Sequence, residues 1–230
     1  MIRRSQYRCA FHKTADPKDV ECAVDACRSW ASHLVETGIL CNASFYRHEN
    51  MGFLYLEEIV KDSIPVPDRI DVEELMAPLR SCLKLWPEEK GDRYFAPMIN
   101  VYYHHTARED VDSWELERTT APKTRVGRVA FVYPEKLPSY VRYHQMIVEE
   151  GLLKGDKYAF ISLHENLLFS YYEEPRNNVN IKGSDEESEV IRQWLAVDPE
   201  SHFDRVKAKG ENFLVIPCLF TVDRLDLPKE

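Results

Sequence analysis

The stretch Phe45-Tyr46-Arg47-His48-Glu49-Asn50-Met51-Gly52-Phe53-Leu54-Tyr55-Leu56-Glu57-Glu58 returns 116 residues later as Ile161-Ser162-Leu163-His164-Glu165-Asn166-Leu167-Leu168-Phe169-Ser170-Tyr171-Tyr172-Glu173-Glu174. His-Glu-Asn, a Phe, a Tyr and Glu-Glu recur in register, which is the mark of an internal repeat. Two further echoes keep the same order. Arg80, Pro87, Glu88, Asp92 and Arg93 pair with Arg192, Pro199, Glu200, Asp204 and Arg205 at an offset of 112, and Arg8-Cys9-Ala10-Phe11 pairs with Arg128-Val129-Ala130-Phe131 at 120. The chain therefore reads as two tandem copies of one unit, 5–107 and 125–226. Between them, 108–124 is charged and contains Pro122, with Trp114 and Leu116 as its main apolar residues, and it reads as a linker.

Each copy predicts the same elements. In the second, Gly127 to Tyr133 is a strand, Pro138 and Ser139 open a helix, and Tyr158 to Leu163 and Leu167 to Glu173 form a hairpin about the polar turn His164-Glu165-Asn166. A helix around Glu189 to Leu195, a shorter helical stretch around His202 to Lys207 and a last strand near Phe213 to Val222 complete it. The order β-α-β-β-α-β is that of the ferredoxin-like α+β fold, an antiparallel sheet with both helices on one face. The other face of such a sheet needs a cover. With two units on one chain, the expectation is an intramolecular pseudo-dimer in which the two sheets build a barrel, with cavities as candidate sites.

Composition narrows the function. The 230 residues are 44% hydrophobic and 30% charged, enough apolar material for a core without metal or disulfide staples. Thirty Lys and Arg face 39 Asp and Glu, a net charge of −9 with no basic stripe, which excludes nucleic acid as an expected partner. There is no apolar run long enough to span a membrane, and the basic start at Arg3 and Arg4 lacks the apolar core of a signal peptide, so a soluble cytoplasmic protein is expected. The six cysteines lack metal-ligand or redox spacing and are expected as reduced thiols; no zinc or other metal site is expected. His104 and His105 are adjacent on a strand end and point to opposite faces, which makes them poor chelators.

Among polar candidates, Tyr140 and His144 lie one helical turn apart on one face, so that a phenol and an imidazole can converge on a small polar ligand. The spacing equally suits two buried amphipathic side chains. Trp194, on the second helix of the same unit, could give an apolar platform or simply anchor helix to sheet. By the 120-residue offset Val20 and Val24 stand where Tyr140 and His144 would be, and Cys82 where Trp194 would be, so that the first unit reads as scaffold.

The second unit resembles the L-rhamnose mutarotase family of the dimeric α/β-barrel class. The residues that carry this are Gly127-Arg128-Val129-Ala130-Phe131-Val132, the Tyr-x-x-x-His of Tyr140 to His144, Tyr158-Ala159-Phe160-Ile161 with Asn166-Leu167-Leu168-Phe169, and Trp194-Leu195-Ala196-Val197. The resemblance implies catalysis by Tyr140 and His144, a sugar-lining role for Trp194, and interconversion of the α and β anomers of a monosaccharide without cofactor or metal. Ring opening needs one proton given and one taken, which a near-neutral histidine and a tyrosine hydroxyl can provide. The alternative is a non-catalytic barrel that binds a sugar or another small ligand; other chemistry of the same barrel class, oxygenase included, is a third reading. Whether pseudo-dimers pair further is left open by the sequence.

Overall fold

The computed structural model describes residues 1–60, 69–86, 92–104 and 111–224. Pro87, Glu88 and His105 lie outside the described residues. In chain order the elements are β1 (Ile2–Ala10), α1 (Pro17–Glu36), β2 (Leu40–His48), β3 (Met51–Ile59), α2 (Val72–Leu75), β4 (Ala96–Pro97), β5 (Ile99–Tyr103), α3 (Val111–Thr120), β6 (Thr124–Phe131), α4 (Leu137–Glu150), β7 (Gly155–Asp156), β8 (Phe160–His164), β9 (Leu167–Glu174), β10 (Asn178–Val179), α5 (Glu189–Ala196), β11 (Leu214–Ile216) and β12 (Cys218–Asp223). They fall into two compact units. As far as described, the first holds residues 1–98, 111–120 and 217–224, the second 99–104 and 121–216.

The first unit's sheet has the order β12-β2-β3-β1-β4 and the second's β11-β6-β9-β8-β5, with antiparallel pairing throughout. Stripped of one edge strand each, both are the ferredoxin-like order read from the sequence. The added strands are the difference. The last strand of the second copy, expected as one piece near Phe213 to Val222, is broken at Pro217: β11 pairs with β6, whereas β12 belongs to the first unit and pairs with β2. In the first copy β4 ends at Pro97, the Met98 N–H still donates to the Gln6 carbonyl of β1, and from Ile99 on β5 joins β8 in the second unit. Proline has no N–H for a ladder, so it ends one pairing and the following residues start another. Each added strand covers an edge that would otherwise expose unpaired backbone groups.

The repeated hairpin turns match in geometry. Glu49 and Glu165 both take left-handed φ, +53° and +57°. In both turns the asparagine carbonyl accepts a bond from the end of the first strand of its unit, Phe11 N–H to Asn50 at 2.7 Å and Val132 N–H to Asn166 at 2.9 Å. These pairings put Phe11 opposite Val132, and strand register does likewise. Arg8 pairs with Phe53, whereas Val129, not Arg128, pairs with Phe169. The echo of Arg8 with Arg128 is therefore one residue out of structural register, and a one-residue slip moves a side chain to the other face of a sheet. Tyr7, a residue of the first core, stands where Arg128 stands in the second unit.

The first unit's core packs α1 on the sheet through Val20, Val24, Cys27 and Ala31 against Cys9, Phe45, Leu54 and Leu56. Val20, Val24 and Cys82, the residues compared with the polar candidates of the second unit, all belong to this core. The segment read as a linker carries helix α3, which packs in the first unit. Its Trp114 is fully buried, and its Arg118 makes a two-pronged ion pair with Glu57, both bonds 2.8 Å, with neither side chain exposed. Trp114 Nε1–H and Tyr55 O–H donate to the same carboxylate. Burial alone would raise the Glu57 pKa, but Arg118 and these donors bring it down to about 2. Among the described residues all six cysteines are free thiols, and no helix is long and apolar enough to cross a membrane.

Candidate functional site

In the second unit α4 and α5 lie on one face of the sheet, and a cavity of about 290 Å³ opens between them and the strands. Each wall has a local cause. Helix α4 ends at Gly151, whose φ of +71° suits the left-handed cap position, with its N–H donated to the Ile147 carbonyl. The Glu150 carboxylate at that end accepts from the N–H groups of Glu189 and Val190 at 3.0 and 3.3 Å, and it also bonds the Ser188 hydroxyl, so that the last turn of α4 caps the first turn of α5. That joint fixes Trp194 over the cavity.

Tyr140, His144 and Trp194 are brought together. The Tyr140 and His144 rings stack with centroids 3.8 Å apart, and Trp194 stands edge-on to both at 6.0 and 5.2 Å. The three do not share a role. His144 and Trp194 line the cavity; Tyr140 does not, and its hydroxyl is fully buried with no hydrogen-bond partner. Burial drives the phenol far above its ordinary pKa, so it stays protonated. His144 Nδ1 lies 2.8 Å from the Tyr140 carbonyl. A carbonyl only accepts, so Nδ1 carries the proton and Nε2 is left as an acceptor. Burial holds the imidazole pKa down, to about 4, against the opposing effect of the Tyr140 carbonyl, and keeps the ring neutral at pH 7.

The sequence reading missed the cavity's charged wall. On β9, Leu168, Ser170 and Tyr172 face the helices, and on β6 Arg128 lies directly opposite Ser170. Arg128 Nη2–H donates to Ser170 Oγ at 3.0 Å, and its guanidinium lies 4.4 Å from the Tyr172 ring centre and 4.9 Å from that of Phe213. Among the described residues no carboxylate comes within ion-pair distance of Arg128, and its Nε has no partner. Burial lowers its pKa from the ordinary arginine value. Arg176, at the exposed mouth, lies over the same Tyr172 ring at 4.7 Å. The one lining carboxylate, Asp156, accepts instead from the backbone N–H groups of Glu173 and Asn177, and burial pushes its pKa up to about 6. A residue signal did exist: Arg128 alternates with Val126 and Ala130 along a strand, which puts an arginine on the same face as apolar residues.

The other histidine of note, His104, lies at the end of β5 and bonds the Tyr102 hydroxyl through Nδ1 at 2.5 Å and the Val179 carbonyl through Nε2. Since a carbonyl only accepts, Nε2 donates and Nδ1 accepts from Tyr102, which lines the cavity. In the first unit a second cavity of about 360 Å³ is lined in part by Asp71, Glu73, Asp92 and Arg93, and two of its three carboxylates are engaged in structure: Asp71 caps α2 and Glu73 accepts from the N–H groups of Tyr94 and Phe95.

No protein-family profile and no curated protein matches the chain. Among solved structures it is similar to a "putative monooxygenase" from Fusobacterium nucleatum, at 10% identity over 97% of this chain and 94% of that one with a TM-score of 0.42. It is also similar to a "putative monooxygenase" from Lactobacillus acidophilus, at 3% identity over 97% and 96% with a TM-score of 0.44. A third is a "putative chlorite dismutase", at 11% identity over 94% of each chain with a TM-score of 0.38. The expectation of a sugar mutarotase is overturned by the geometry: the Tyr140 hydroxyl that was to hold the second proton is fully buried, has no hydrogen-bond partner and does not line the cavity.

Proposed function

We propose that the second unit binds a small, largely apolar organic molecule in the cavity between its sheet and helices, and that His144 Nε2 accepts a hydrogen bond from it. The observation that carries this is the His144 ring: Nδ1–H is committed to the Tyr140 carbonyl, and the imidazole on the cavity wall is held neutral, with Nε2 as its acceptor. Ile147, Ile161, Ile191 and Trp194 supply the apolar lining, and a volume of about 290 Å³ suits a compact ligand. An imidazole held neutral at a pKa of about 4 is a weak base, so its role is to orient the bound molecule by accepting a hydrogen bond at Nε2, away from water.

Nitrogen NMR of histidine-labelled protein tests it directly. The expected result is a His144 Nε2 resonance at the unprotonated position throughout pH 6 to 8, shifted by hits from a thermal-shift screen of small organic molecules, and loss of those hits with His144→Phe. An Nε2 that carries the proton, or hits indifferent to His144→Phe, would overturn the reading.

We infer further that the two units of this one chain take the places of two subunits of a dimeric α/β-barrel. The reciprocal placement of β5 and β12 supports it, because each unit's sheet is completed by a strand that follows directly from the other's last strand. Light scattering after size exclusion should then find a single chain per particle, whereas an obligate dimer of chains would count against it.

A further inference from the structure

The uncompensated guanidinium of Arg128 says what kind of molecule the cavity takes, and this rests on the reading of the cavity as a ligand site. We propose that the ligand is an organic carboxylate whose charged group docks on Arg128 and the Ser170 hydroxyl while its apolar body lies against Ile147, Ile161 and Trp194.

A guanidinium withdrawn from water normally finds a carboxylate or a set of carbonyls. Arg128 finds one hydroxyl and two aromatic rings in contact, and among the described residues no carboxylate within ion-pair distance, the charge of Glu174 acting on it only from farther away. Ser170 is fully inside the protein at 1% exposure; its oxygen accepts from Arg128, and its own O–H has no acceptor among the described residues. Together they offer an N–H and an O–H donor side by side in a cavity with no matching acceptor, which an anion supplies.

The surrounding charges agree. Lining the cavity are Arg128, Arg176 and Lys154 against Asp156, on a chain whose net charge is −9. Lys154 already pairs with Asp185 at 2.5 Å on the surface, and Asp156 spends its oxygens on backbone N–H groups. Arg176 at the mouth remains without an ion pair among the described residues and can steer an anion inward. His144, neutral in this setting, adds no competing positive charge beside the apolar wall and stands as acceptor for a second, acidic hydrogen of the same molecule.

The test uses matched probes on the whole chain: benzoate and cyclohexanecarboxylate against benzamide and cyclohexanecarboxamide, with phenylphosphonate as a tetrahedral anion. Binding is read by calorimetry and by the His144 nitrogen signals. The expected result is that the carboxylates bind at least about tenfold more tightly than their amides, and that Arg128→Met removes that preference. A second readout does not depend on finding a good ligand: Arg128→Met without ligand should melt higher than wild type, because a half-buried charge with an enclosed, unpartnered Nε is a cost to the free protein. Amides that bind as well as carboxylates, a preference that survives Arg128→Met, or a ligand-free variant that melts lower than wild type would overturn the carboxylate assignment and leave the cavity reading standing. A phosphonate preferred over carboxylates would overturn it as well. Failure of all probes to shift the His144 signals, with none of them binding, would bring down both.

Discussion

At the scale of single residues, the first unit and the second bury charge in opposite ways. Glu57 and Arg118 satisfy one another within a closed set of donors, so Arg118→Met strands a carboxylate in the core and should cost about 3–5 kcal/mol in denaturant unfolding. Adding Glu57→Gln removes the stranded charge and keeps an acceptor for Tyr55 and Trp114, and should recover part of that loss. Glu57 also sets an acid limit. Its pKa is depressed, so its stabilisation is complete above the ordinary carboxylate range and is lost as pH falls toward 2. His144 acts at higher pH with the same sign of shift. Its folded pKa lies near 4 against an ordinary 6.5, so the unfolded chain binds a proton that the native chain refuses, and stability falls as pH drops through that window. Asp156, raised to about 6, favours the folded state on acidification, which makes the difference between wild type and His144→Phe the quantity to measure. That difference should shrink steadily from pH 7 to pH 4; a difference independent of pH would show that His144 titrates as an ordinary histidine.

At the scale of elements, the joint between α4 and α5 is the part of the site most open to test. Glu150 accepts from the Glu189 and Val190 N–H groups at the start of α5, while Ser188 caps Ile191, so Glu150→Ala should destabilise by about 1 kcal/mol. It should also shift the emission of Trp194 to the red relative to the parent, as the helix that holds it at 9% exposure loosens. An unchanged spectrum would mean that the ring packing of Tyr140, Tyr143 and His202 around Trp194 holds the helix without the cap. These elements were largely legible in the sequence, since their periodicity, the opening proline of α4 and the repeated Glu-Asn turns reflect local backbone preferences. Two kinds of information were not. The 120-residue echo matched Arg8 to Arg128 by residue type, but residue type does not carry strand register, and only pairing showed that they face opposite sides of their sheets. Likewise α3 shows a weak apolar pattern because its buried side is polar: Trp114, Glu115 and Arg118 pair with groups far away in the chain, which no local reading can supply.

At the scale of the whole molecule, the prolines decide how the two copies depend on one another. A repeat seen in sequence suggests two units that fold alone, and composition permits it. The strand exchange contradicts that independence: residues 1–120 contain the β5 that the second sheet needs and lack the β12 that completes the first, in which Phe220 and Val222 are core residues. The reciprocal holds for residues 121–230, which would leave β8 as an open edge. The separate halves are therefore expected to be aggregation-prone and poorly protected in hydrogen exchange, because each exposes a bare sheet edge and an orphaned apolar strand. Mixed during refolding, they should associate and regain protection in β2 and β8 together. The intact chain should melt in one transition in which probes in both units, Trp114 and Trp194, report the same midpoint. Two separate midpoints, or a half that is fully protected alone, would show that the exchanged strands are attached to sheets that do not need them, and the duplication would then be an array of independent units.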